Sequence, residues 1–171
     1  EGSVLWLLRS NPWAEANLRA QALAHGVDPA RLIFAEKRSP ADHLARHRHA
    51  DLFLDSFIVN AHTTASDALW AGLPVLTLPG RQFAARVGAS LLTAIGLPDL
   101  IATSEADYAR RALDLARSPD TLAALKARLA ANRKDAPLFD TATYARKIEA
   151  AYAAAHQRRL DGLEPAPITV D

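Results

Sequence analysis

The sequence of 171 residues contains no cysteine. That excludes a disulfide framework and any thiolate-ligated metal site, and it suits a reducing compartment. Long apolar runs are missing as well: none approaches the ~18 residues that a membrane span needs, and no signal peptide precedes Val4. A soluble, cytoplasmic protein is therefore expected. Bulk charge is almost absent, since 20 basic residues against 19 acidic ones leave a formal charge of +1. Neither nucleic acid nor an anionic membrane has an electrostatic reason to bind the chain as a whole, and any phosphate site must be local. The chain starts on Glu1 rather than methionine and enters a strand almost at once, so a piece of something longer is expected. What is present is apolar content, 50% of the residues, enough for one domain with a proper core.

The order of elements predicts an α/β protein. Val4 to Leu8 is a short apolar run, read as a strand buried on both faces. A helix is expected from Ala14 to His25, stopped by Gly26, with Trp13 in the preceding loop. Leu32-Ile33-Phe34 reads as a second strand, and a helix starts at Pro40 behind a capping Ser39. Asp51 to Asp55 is a third strand, and Pro74 to Leu78 a fourth. Strands and helices alternate as in a Rossmann-like parallel sheet with helices on both faces. The C-terminal third is mainly helical, with helices expected over Phe83–Thr93, Glu105–Arg117, Thr121–Lys134 and Ala142–Arg159. Residues 1–159 are read as one lobe and 160–171 as an extended tail.

The chain is organised around Asn60 to Gly80, NAHTTASDALWAGLPVLTLPG. A loop ending in His62 runs into a helix that opens on Thr63 and Thr64 and closes at Gly72. A helix start presents backbone N–H groups without intrahelical partners, and with hydroxyls beside it and no acidic residue before it, it can hold a phosphate. Asp67, one turn further in, is placed to accept hydrogen bonds from sugar hydroxyls on that phosphate. Ala68, Leu69, Trp70 and Ala71 are expected to face a sheet. The same residues also allow a plainer reading, in which Thr63 and Thr64 only cap the helix and His62 is an ordinary loop histidine.

Further along the helix that Pro40 starts, His43 and Arg46 share a face, with room for a planar base between ring and guanidinium. A solvated helix face is the alternative. Three histidines, His43, His47 and His49, invite a metal reading, but no third ligand pattern or acidic partner accompanies them. Asp51 and Asp55 lie at opposite ends of their strand and form no Asp-x-Asp motif.

Asn60, His62, Thr63, Thr64, Asp67, the run Leu69-Trp70-Ala71-Gly72, Pro74 and Pro79-Gly80 together resemble the signature of the O-linked N-acetylglucosamine (O-GlcNAc) transferases. The likeness extends upstream to Val4-Leu5-Trp6-Leu7-Leu8-Arg9. Downstream it runs through Arg86-Val87 and Ala89-Ser90 to Pro137-Leu138-Phe139, Thr141 and Tyr144, so that residues 3–153 are covered and the tail is not.

The resemblance implies a GT-B enzyme of two Rossmann-like lobes, of which this chain is the C-terminal, nucleotide-sugar-binding one. It implies UDP-GlcNAc as donor, protein serine or threonine hydroxyls as acceptor and inversion at the anomeric carbon; with no Asp-x-Asp motif in the chain, a donor site without metal or cofactor is expected. Diphosphate would fall to His62, Thr63 and Thr64, ribose to Asp67, and uracil to His43 and Arg46, with its edge read by backbone near Arg38. One departure stands out: the family places a lysine near the ribose where this chain has Pro40, and neither Lys37 nor Arg38 aligns with it. The family's leaving-group lysine belongs upstream of Val4, outside this sequence, as do the N-terminal catalytic lobe and the repeat region that would be partners. A GT-B enzyme using UDP-GlcNAc on another acceptor or epimerising it, or a non-catalytic nucleotide-binding scaffold, are the competing readings.

Overall fold

The computed structural model describes residues 2–170, and the chain divides into two compact units, residues 1–46 and 47–171.

In the first unit two parallel strands, β1 (Leu5–Leu8) and β2 (Leu32–Ala35), pair from Leu5 opposite Leu32 to Leu8 opposite Ala35. The chain passes between them through α1 (Pro12–Ala24). Asn11 caps this helix, its side-chain oxygen accepting from Ala14 N at 2.8 Å, and Pro12 takes the first helical position, where its missing N–H matters least. The helix thus begins two residues before Ala14, and Trp13 lies on it, exposed, rather than in a loop. In the second helix, α2 (Pro40–Arg46), Ser39 Oγ accepts from Asp42 N as the sequence suggests.

Alternation along the strands puts Trp6 and Phe34 on opposite faces. Arg46 of α2 lies 5.3 Å over the Trp6 ring and Arg19 of α1 lies 4.9 Å over Phe34, so helices cover both faces. Cover is thin, however: neither helix has a buried residue. Leu5, Leu8 and Ile33 stay exposed, which corrects the expectation of a doubly buried β1.

In the second unit β3 (Phe53–Leu54) and β4 (Val75–Leu76) pair in parallel, Phe53 opposite Val75. The strands are shorter than expected. Pro74 has no N–H to give a ladder, and Thr77 turns to residues 100–102, donating to Leu100 O and accepting from Ala102 N. Each unit thus carries one two-stranded parallel pair among the described residues.

Helix α3 (Thr63–Trp70) crosses over between β3 and β4 and stops at Gly72, whose φ of 87° only glycine adopts without strain. Its inner face buries Ala65, Ala68 and Leu69 against Val75, Leu76, Leu92, Ile95 and Leu97. Each fully buried Leu or Ile contributes about 1.5–3 kcal/mol relative to exposure. Trp70 does not join them: four consecutive helical residues cannot share one face. Its ring is half-exposed, edge-on to Phe139 at 5.0 Å and under Arg133 at 5.5 Å.

The expected helix over 83–93 is broken into a 3-10 turn, Phe83–Ala85, and α4 (Val87–Ala94). The carbonyls that would continue the helix are taken from outside, since Ala84 O accepts from Asn60 N and Ala85 O from Gly80 N. Helices α5 (Glu105–Arg117), α6 (Pro119–Asp135) and α7 (Thr141–Leu160) complete the helical third. At the start of α5, Asp107 meets Arg111, Thr103 N and Arg110, and these hydrogen bonds hold its carboxyl far below the usual carboxylate range. Leu163 to Val170 form no helix or strand.

Candidate functional site

The carboxyl end of β3 feeds a seven-residue path, Asp55 to Ala61, into His62 and the start of α3. Asp55 is buried, 4% exposed, and all of its polar atoms are engaged. Oδ1 accepts from Ser56 N at 2.9 Å and Ala61 N at 2.6 Å, while Oδ2 accepts from the Thr77 hydroxyl at 2.6 Å. The Asp55 amide donates to Leu76 O, and its carbonyl accepts from the Tyr108 hydroxyl at 2.9 Å. Burial first, and then the Asp55 charge, push the Tyr108 phenol up to about 12.

Asn60, equally buried, holds the other side of the loop. Its Nδ2 donates to Ser56 O, its amide to Ala84 O, and its Oδ1 accepts from Gly88 N at 3.3 Å. Gly88 permits α4 to come this close. A Cβ there would stand 2.5 Å from Asp55 Oδ2 and 2.6 Å from Thr77 Oγ1.

At the end of the loop His62 occupies the cap position of α3 but gives it no side-chain hydrogen bond, so the first-turn amides are left open. The His62 ring turns instead to the 3-10 turn, with Nε2 3.2 Å from Ala84 O and the ring edge-on to Phe83 at 6.0 Å. A carbonyl only accepts, so Nε2 carries the proton in that contact. Thr63 and Thr64 are exposed. Asp67 is half-buried, and its carboxylate makes no hydrogen bond or ion pair among the described residues.

The first unit holds the other predicted residues. His43 and Arg46 do share a face of α2, but they touch: Arg46 Nη2 lies 2.8 Å and Nε 3.2 Å from His43 Nδ1. A base cannot lie between them, which corrects that expectation. Arginine is only a donor, so Nδ1 accepts and a neutral ring carries its proton on Nε2. Arg46 Nη1 also donates to Glu36 O at 2.7 Å, fixing the loop after β2 that contains Lys37 and Arg38, both exposed. Arg9 pairs with Glu15 and Glu36 at 2.5 Å each.

Sequence reasoning missed Asp55, Thr77 and Tyr108. The sequence presents Asp55 only as the end of a strand without an Asp-x-Asp motif, because its partner Thr77 is visible only once β3 is paired with β4. Neither Asp51, which pairs with Lys126, nor Asp55 stands in a group of three or more metal-ligating side chains among the described residues. A cavity of about 420 Å³ in the second unit, between α5 and α6 and lined by Leu100, Arg111, Leu115, Leu125 and Arg128, includes none of the site residues.

Parallel strands with intervening helices, and a polar loop leaving a strand's carboxyl end for a helix start, define a Rossmann-like α/β class. Glycosyl transferase family 41 matches residues 1–148. A probable UDP-N-acetylglucosamine–peptide N-acetylglucosaminyltransferase of Arabidopsis thaliana is 38% identical over 164 residues, 95% of this chain and 17% of that protein. A UDP-N-acetylglucosamine–peptide N-acetylglucosaminyltransferase of Caenorhabditis elegans is 36% identical over 147 residues, 86% of this chain and 13% of that protein. Among solved structures, a mutant of the Thermobaculum terrenum O-GlcNAc transferase superposes with a TM-score of 0.82 at 31% identity, covering 87% of this chain and 29% of that one. The chain belongs to glycosyl transferase family 41, a glycosyltransferase family of the O-GlcNAc transferase type. It spans only 13–17% of the length of these two curated relatives. No helix among the described residues is long and apolar enough to cross a membrane.

Proposed function

We propose that this chain supplies the donor-binding part of an inverting glycosyltransferase that moves GlcNAc from UDP-GlcNAc to serine or threonine hydroxyls of proteins. The observation that carries the reading is the start of α3: open amides, two exposed threonine hydroxyls and an unpartnered carboxylate one turn further in. The names of its relatives as UDP-GlcNAc–peptide transferases support the donor and acceptor classes. The N-terminal lobe and repeat region are partners expected in the remaining length of such proteins.

In the transfer, an acceptor hydroxyl attacks the anomeric carbon from the face opposite the nucleotide. The bond from that carbon to the diphosphate oxygen breaks, the electron pair leaves with UDP, and the hydroxyl proton goes to a base. Charge grows on the diphosphate, where the α3 amides and the Thr63 and Thr64 hydroxyls stabilise it without reorganising. His62 has only Nδ1 left for a ligand, and that atom donates only when the ring is protonated. Asp67 accepts from ribose hydroxyls. The His43 ring stacks on uracil with its position locked by Arg46, and backbone near Arg38 meets the base edge. Because helix amides and hydroxyls meet the charge, no metal ion or cofactor takes part.

Asp67→Ala should weaken UDP binding by about 1–3 kcal/mol, the scale for a charged hydrogen-bond partner, with little change in folding stability. Calorimetric titration of UDP checks this, and unchanged affinity would remove the ribose assignment.

A further inference from the structure

The buried carboxylate that the proposed transfer does not touch is Asp55. A carboxylate taken out of water without a cation needs every lone pair met by a donor, and here three donors converge on it from three places in the chain. Ser56 N and Ala61 N sit at the two ends of the loop, so Oδ1 ties that loop into a closed ring directly before His62. Thr77 Oγ1 belongs to the segment after β4, so Oδ2 ties the ring to the sheet. No space is left for an alternative: the Thr77 side chain is fully buried, and the α4 backbone at Gly88 approaches so closely that even one added methyl would overlap both partners.

The loop tip makes a contrast. Ile58 and Val59 are exposed, and the Ser56 hydroxyl donates to Val59 O at 2.6 Å; beyond that the tip has a long contact from Gln82 to Ile58 O, with the neighbouring Phe57 ring edge-on to Tyr108 at 4.9 Å. Asp55 is the one group that bonds the Ala61 amide, while Asn60 and the His62 contact to Ala84 O hold the residues on either side of it. The open amides of α3 follow immediately, and amides aimed at a phosphate lose their effect when displaced by a fraction of an ångström.

We propose that Asp55, acting with the Thr77 hydroxyl, is a positioning residue for the donor diphosphate: it sets the pose of Ala61, His62 and the first turn of α3 without touching the ligand. This rests on the reading of α3 as the diphosphate site. The hydroxyl of Thr77, not its methyl group, is the part that matters.

The test compares Thr77→Val, which keeps the shape and removes the donor, with Thr77→Ser, which keeps the donor. Two quantities are read on each full chain: UDP affinity by calorimetry, and hydrogen exchange of the Ala61 amide by NMR. In the wild type the Ala61 amide should exchange at least tenfold more slowly than those of Ile58 and Val59. Thr77→Val should lose at least tenfold in UDP affinity and most of the Ala61 protection, while the Phe53 amide, which donates to Pro74 O, stays protected. Thr77→Ser should stay within about threefold of wild type in both. Equal behaviour of the two variants, or an Ala61 amide in the wild type that exchanges as fast as the loop tip, would overturn the proposal. The wild-type exchange decides even if Thr77→Val fails to fold. A wild type that binds no UDP but keeps Ala61 protected would overturn the diphosphate reading and leave the clamp standing.

Discussion

The two units solve the same problem with unequal means. Of the buried apolar side chains among the described residues, Leu32 alone lies in the first unit, and the rest, from Ala65 to Leu129, lie in the second. The first unit holds its rings beneath guanidinium groups and leaves Leu5, Leu8 and Ile33 half in water. Behind the start of α3 the second unit has a packed core and a buried polar node in which each donor meets an acceptor. On the proposed reading, a donor's phosphates meet a preorganised surface and its base meets a loosely backed one. Electrostatic stabilisation of a leaving group demands that preorganisation, whereas stacking on a base tolerates small displacements.

Core truncation should break this contrast most sharply. Leu69→Ala, at a fully buried position beneath α3, should destabilise the fold by about 2–5 kcal/mol. Ile33→Ala, at a position 46% exposed, should lose about 1 kcal/mol or less. Urea unfolding of both variants checks the difference, and equal losses would show that the first unit is backed as firmly as the second.

A smaller effect is expected at the base site. His43→Ala should weaken UDP binding by about 1–3 kcal/mol, the scale of stacking on a base, while His43→Phe retains most of the affinity. Neither should shift the unfolding midpoint much, because Arg46 keeps its bonds to Glu36 O and its place over Trp6. Equal losses from both changes, read by the same titration, would argue for a hydrogen-bonding role instead.

Where local chemistry decides, the fold was legible in the sequence. Ser39 before Pro40, Gly72 after α3 and the Ser118-Pro119 break between α5 and α6 all act as their residue types dictate. Misreadings arose where a distant partner decides. Asn60 and Gly80 take the carbonyls of Ala84 and Ala85, and a helix predicted over 83–93 breaks at Arg86. Thr77 answers to residues 100–102, and β4 shortens to Val75–Leu76. For the site, spacing alone put His43 and Arg46 on one face and left open whether Thr63 and Thr64 only cap α3. It could not reveal that ring and guanidinium touch, nor that Asp55 closes the loop, since both depend on side-chain geometry that spacing does not set.

The most direct test of the central claim, that the start of α3 takes a diphosphate without help from a metal, is calorimetric titration of UDP and of uridine into the wild-type chain. Each is run in excess EDTA and again in millimolar Mg²⁺. UDP should bind at least tenfold more tightly than uridine, about 1.4 kcal/mol or more, and by the same margin in both buffers. Equal affinities for UDP and uridine, or a tenfold tightening of UDP by the metal, would contradict the account.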